Sequence, residues 1–156
     1  MNRSAQPLDL GILMTLAYQR FVTELHAALA SSGFDDLGRS DGVVLRALAQ
    51  RRMSVSKLAD LLDISKQGAA QIATDMERRG YLARRPDPDD GRAWLLELSE
   101  RGTVALAAAR AFHHRYERGV VKRSGTETVA VLRSALSEIA GPAAYGSDPR
   151  LKALFL

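Results

Sequence analysis

A mainly α-helical chain with one small β-hairpin is the fold class this sequence predicts. Apolar residues recur at three- and four-residue steps through most of its 156 residues, the period of a helix with one buried face. Only two short stretches, Tyr81–Arg85 and Arg92–Leu98, read as strands. Between them Pro86-Asp87-Pro88-Asp89-Asp90-Gly91 is dense turn chemistry with an Asp-Gly tip.

Each element has its own local warrant. From Leu8 to Ala30, Ile12, Leu16, Tyr18, Phe21, Val22, Leu25 and Leu29 make one stripe, ended near Ser31-Ser32-Gly33. Asp41–Gln50 carries Val44, Leu45 and Leu48, with Ser40 as the expected N-cap. Ser54 caps a third helix, Val55–Leu62. Asp63-Ile64 is a turn, and Ser65 caps a fourth helix that stops at Gly80. On the second strand Trp94, Leu96 and Leu98 share a face, with Trp94 expected to pack onto the core. Ser99 opens a long helix reaching about Lys122, studded with Ala105, Ala107, Ala108, Ala109 and Ala111. Ser124-Gly125-Thr126-Glu127 reads as a capping box. The helix after it places Val129, Leu132, Leu136 and Ile139 on one stripe, and Gly141-Pro142 ends it. Ser147 or Asp148 before Pro149 suggests one more turn.

Two capped helices joined by a tight turn, followed by a hairpin, form a winged helix-turn-helix. This device places one helix in the DNA major groove. On a helical wheel the fourth helix turns Gly68, Ala69, Ile72, Ala73 and Met76 inward, onto Leu58, Leu61 and Leu62. Lys66, Gln67, Ala70, Gln71, Thr74, Glu77 and Arg78 face outward. Gln and Lys reach base edges. Ser65 and the free N–H groups of the first turn suit a phosphate. The expected DNA-binding set is therefore Ser65, Lys66, Gln67, Ala70, Gln71, Thr74 and Arg78 on the helix. Ser54, Ser56 and Lys57 are expected on the DNA backbone. At the hairpin tip Arg92 suits a narrow minor groove, with Asp90 holding its guanidinium. Arg84 and Arg85 are expected to meet the DNA backbone or to pair with Asp87, Asp89 and Asp90.

Composition narrows the rest. The chain has no cysteine, which excludes disulfides, cysteine zinc sites and thiol redox sensing. No run approaches the roughly 18 apolar residues of a membrane span, and the start lacks the pattern of a secretory signal. A cytoplasmic protein is expected. Net charge is +4, but residues 36–102 hold 12 Lys and Arg against 11 Asp and Glu, while 103–156 hold 8 against 4. Arrangement, not net charge, carries the argument for DNA. His26, His113 and His114 make no metal pattern, since neighbours on a helix point about 100° apart. Without a phosphate loop or a nucleophile motif, neither an enzyme nor a cofactor is expected.

The stretch Leu58–Gly102, LADLLDISKQGAAQIATDMERRGYLARRPDPDDGRAWLLELSERG, resembles the MarR family of bacterial transcriptional regulators. Met76-Glu77 stands at the family's Leu-Glu helix end, Asp90-Gly91-Arg92 at its Asp-x-Arg wing, and Ser99 at its Leu-Thr. The resemblance implies a homodimer on a palindromic double-stranded operator, usually a repressor. It also implies release by a small molecule, often an aromatic or phenolic acid, whose binding residues the sequence leaves unknown. The expected division is a winged helix-turn-helix at 36–99 between helical dimerisation segments at 1–35 and 100–156. Two other readings stand beside it: an architectural DNA-coating protein without effector, and a winged helix turned protein-interaction module.

Overall fold

The computed structural model describes residues 8–38 and 40–141. Pro142 and the turn expected at Ser147–Pro149 lie outside the described residues. The elements run α1 Leu10–Ala30, α2 Asp41–Gln50, α3 Val55–Leu62, α4 Lys66–Arg78, β1 Leu82–Pro86, β2 Trp94–Leu98, α5 Glu100–Ser124 and α6 Thr126–Ala140.

Side-chain caps fix three helix starts. Ser54 accepts from the Lys57 N–H, Ser65 from Gly68 at 3.0 Å and Ser99 from Gly102 at 3.0 Å. Each satisfies an N–H that the helix itself leaves open. Two expected caps differ. Ser40 takes a helical backbone and makes no side-chain cap to α2. The Asp41 carboxylate instead accepts from the Gly38 N–H at 2.7 Å, bracing the approach to α2. The capping box before α6 does not form, because Gly125 (φ 84°) is itself the cap residue and has no side chain.

At the end of α4, Gly80 adopts φ +81°. The Tyr81 N–H reaches back to the Met76 carbonyl at 2.8 Å, and the Gly80 N–H to Glu77 at 2.9 Å. This left-handed stop turns the chain directly into β1. The hairpin is antiparallel, with Leu82 opposite Leu98, Arg84 opposite Leu96 and Pro86 opposite Trp94. Met53 bridges the far side of Leu96. The strands close at Pro86 and Trp94, so the wing loop runs through 87–93, longer than its sequence suggested.

The core lies inside the winged helix. Val44, Leu45, Leu58, Ala69, Ala73, Met76, Tyr81, Leu96 and Ala105 are buried, drawn from α2, α3, α4, the hairpin and the start of α5. Leu61, expected on this face, is exposed. It lies at the edge of the α3 stripe, about 60° round the helix from Leu58 and about 100° from Leu62. Gly68 lies close to its own cap and turn: an added Cβ would stand 3.3 Å from Ser65 Oγ and 3.6 Å from Ile64 Cδ1.

A polar clasp ties these elements together. Asp41 is 4% exposed. Its carboxylate accepts from Arg79 Nη1 at 2.7 Å. Arg79 also donates to Asp75 and to the Asp36 carbonyl. The Tyr81 hydroxyl donates to Asp36 and accepts from Arg101 at 3.1 Å, and the Arg101 guanidinium lies over the Tyr81 ring. The Tyr81 hydroxyl, and then the Arg101 charge, hold the Asp36 carboxyl below its ordinary range. Burial raises the Tyr81 hydroxyl.

Candidate nucleic-acid interface

The outer face of α4 is laid out as the wheel requires. Lys66, Gln67, Gln71, Thr74 and Arg78 are exposed, and Ala70 is half-buried between them. Gln67, Ala70, Gln71, Thr74, Asp75 and Arg78 line one shallow open concavity. Small residues at 70 and 74 leave room for a base edge, and two carboxamides can each pair with adenine. Ser65 Oγ is already engaged as a cap, which leaves its hydroxyl proton free to donate. Ser56 and Lys57 are exposed at the start of α3, while Ser54 is half-buried.

The arginines around this face are tied to acids of the protein itself. Arg78 pairs with Asp75 at 2.5 Å, Arg84 with Glu77 at 3.0 Å, and Arg85 with Glu97 at 2.8 Å. Arg84 also donates to Thr74 Oγ1 at 3.3 Å. The expected pairing of Arg84 and Arg85 with the wing aspartates is therefore not what forms. Strand register explains it: Arg84 projects toward α4, and Arg85 projects to the other face beside Glu97. Glu97 also binds Arg52 at 2.7 Å. These two arginines hold the Glu97 carboxyl below its ordinary range, Arg85 first.

At the wing, Asp90 does not hold the Arg92 guanidinium. Its carboxylate accepts the backbone N–H of Arg92 at 3.0 Å, and the Asp87 carboxylate accepts that of Asp89 at 2.9 Å. Both are local turns of the kind Asp favours. The acids thus shape the tip and leave the exposed Arg92 side chain outside these ion pairs. Trp94, expected in the core, is 55% exposed. It lies beyond the point where the hairpin leaves the helices.

Among the described residues no cluster of three or more His, Asp or Glu could hold a metal ion. No described helix is long and apolar enough to cross a membrane.

Behind the winged helix, α1 meets α5 through aromatic rings. Phe21 lies 5.6 Å from Phe112, 5.0 Å from Tyr116 and 5.3 Å from the His113 ring. Tyr18, on the expected stripe of the same helix, is exposed. His113 Nε2 also lies 2.9 Å from Arg46 Nη2 on α2. Arginine can only donate, so the imidazole accepts there and is neutral. Burial first, then the charges of Arg46 and His114, lower the His113 pKa. No sequence signal pointed to this link, which joins residues 67 positions apart.

A pH dependence follows. An unfolded histidine titrates near 6.5, above His113 in the folded chain. As pH falls, the unfolded chain takes up this proton first. The contribution is complete above the unfolded value and is lost as pH drops toward the lower folded one. Denaturant midpoints taken from about pH 7 to pH 5 should fall in the native chain and fall less in His113→Gln. Parallel profiles would show that His113 stays solvated.

A family comparison can be set beside this geometry. The MarR family model matches residues 35–93, the span from the α1–α2 connection to the wing tip. Over that span the winged helix of this chain is similar to those of the MarR family. Proteins of the MarR family are transcriptional regulators rather than enzymes. The exopolysaccharide II synthesis transcriptional activator ExpG of Rhizobium meliloti is 29% identical over 112 residues, which are 72% of this chain and 58% of ExpG. Riboflavin kinase of Thermoplasma acidophilum is 39% identical, over only 54 residues, 35% of this chain and 23% of the kinase. The chain thus spans less than two thirds of either relative. Among solved structures, FabT of Streptococcus pneumoniae in complex with DNA superposes with a TM-score of 0.69 at 19% identity. That match covers 83% of this chain and 90% of FabT. The likeness establishes the winged-helix fold.

Proposed function

We propose that this protein is a homodimeric, sequence-specific regulator of transcription that binds a palindromic operator in double-stranded DNA. The observation that carries the reading is the α4 face, where Lys66, Gln67 and Gln71 stand exposed beside a wing whose Arg92 is unpaired by Asp90. The DNA complex of FabT, which shares the fold, supports it.

Dimerisation through the helices of 1–35 and 100–156 accounts for a second feature. Leu10, Ile12, Leu13 and Leu16 on α1 and Val131, Leu132, Leu136 and Ile139 on α6 are exposed. Apolar surface of this extent on two terminal helices marks an interface. Two copies related by a two-fold axis would place their α4 helices on half-sites about one DNA turn, roughly 34 Å, apart.

The effector reading rests on the α1–α5–α2 junction. Phe21, Phe112 and Tyr116 offer ring faces, and Arg46 offers a guanidinium beside His113. That chemistry suits an aromatic acid. A coupling of about 1–3 kcal/mol would change operator occupancy 5- to 150-fold. Repression follows where the operator overlaps the promoter. The same subunit geometry serves activation, the role named for ExpG.

Selecting bound fragments from random DNA tests the reading. Gln67→Ala should relax preference at one base position and cost about 1–3 kcal/mol on the selected site, whereas Lys57→Ala should weaken all sequences alike and lower the salt slope by about one. Enrichment of no sequence would leave an architectural protein. Absence of any DNA binding, with α4 still needed to capture a protein, would leave an interaction module.

A further inference from the structure

Trp94 is the one tryptophan of the chain and stands 55% exposed. Residues opposite each other in an antiparallel pair share a face. Arg84 and Leu96 are such a pair, and Pro86 and Trp94 are the next pair outward on the same face. Arg84 bonds Glu77 and Thr74 on α4, so this face of the hairpin looks onto α4. Trp94 therefore lies one step beyond the Arg84 link, in the open angle between α4 and the wing tip.

That angle has a defined occupant if the protein binds DNA as proposed above. A duplex with α4 in its major groove and Arg92 in the adjacent minor groove has one sugar–phosphate strand separating the two grooves. That strand has to cross the angle between them. Its surface alternates deoxyribose carbons with phosphate oxygens. An indole matches both, with an apolar ring and a single N–H donor. Pro86 stands opposite Trp94 across the hairpin, and Arg84, two residues back along β1, fastens this face to Glu77 on α4.

We propose that Trp94 is a DNA-backbone contact, its ring against a deoxyribose and its Nε1–H donating to a phosphate, at the strand between the two grooves. It reads no base, so it strengthens binding to every sequence. It carries no charge, so it releases no counterion and leaves the salt slope unchanged. These two signatures together separate it from Gln67, which acts on sequence preference, and from Lys57, which acts on the salt slope.

The tryptophan is its own reporter. A labelled duplex carrying the selected site is titrated with the full chain, following duplex anisotropy together with acrylamide quenching of Trp94 fluorescence. Quenching should fall with the same midpoint at which anisotropy rises. Trp94→Ala should lose about tenfold in affinity, the worth of one hydrogen bond to a charged group, equally on selected and random duplexes and with an unchanged salt slope. Trp94→Phe should lie between the two. Circular dichroism confirms that the variants fold, as substitution of an exposed ring allows. Anisotropy that rises while quenching stays constant overturns the proposal, as does native affinity in Trp94→Ala. A tryptophan already shielded in free protein overturns it too. An anisotropy that never rises overturns the DNA reading itself, and this contact with it.

Discussion

Gly102→Ala is expected to destabilise the protein by about 3 kcal/mol or more, the upper end of overpacking costs. Gly102 lies buried in the first turn of α5. A Cβ there would collide with the Tyr81 carbonyl oxygen and stand 3.5 Å from Leu45 Cδ2. The carbonyl cannot retreat cheaply, because it accepts the Ser99 N–H at 3.0 Å, the bond that sets the start of α5 against the α4 exit. At about 2–4 °C per kcal/mol for a chain of this size, the melting midpoint should drop by roughly 6–12 °C. Gly42→Ala supplies the opposite sign. It lies inside α2 with nothing within 4 Å of an added Cβ, so it should gain about 0.5–1 kcal/mol from helix propensity alone. The comparison requires equal protein concentration, since association shifts the midpoint. Equal midpoints for the two variants would mean that α5 does not approach Tyr81 as described.

Arg79→Ala is expected to cost about 3–5 kcal/mol, the range for leaving one member of a buried ion pair uncompensated. The side chains of Arg79 and Asp41 are 15% and 6% exposed. The hydrogen bond to Asp41, then the Asp41 charge, raise the Arg79 pKa further above its ordinary value, so the pair stays charged on the arginine side at any working pH. Removing both partners, as Asp41→Asn with Arg79→Met, should cost less than the sum of the single changes. Additive losses in urea midpoints would show that the two side chains do not share an interaction. Acid should weaken the same region. Asp36 and Asp75 have folded pKa values below their ordinary ones. Their contributions are complete above the unfolded carboxylate range and are lost as pH falls through the folded values.

Sequence periodicity made most of the fold legible. The bounds of α2 and α3 and the serine caps at 54, 65 and 99 are local matters, and the structure shows them where the caps and stripes placed them. Failures came where a side chain had a choice of partners across the fold. Arg84 and Arg85 stand beside three aspartates in sequence, yet strand alternation aims them at Glu77 and Glu97. Trp94 alternates in phase with Leu96, but the phase does not say how far along the hairpin the core extends. The clasp of Asp41, Arg79, Tyr81, Arg101 and Asp36 joins residues 20 to 65 positions apart, beyond the reach of any local pattern. For the candidate interface, wheel position identified the outward residues of α4.

The clasp also bears on how the molecule can move. It fastens the exit of α4, the entry of α2 and the first turn of α5 to one another, so the reading head and the near end of the long helix turn as one rigid piece. The clasp holds α5 at Arg101, eleven residues before Phe112 in the same helix. If the protein binds DNA as proposed, a push on α5 near Phe112 would turn the head and change how α4 sits on a duplex.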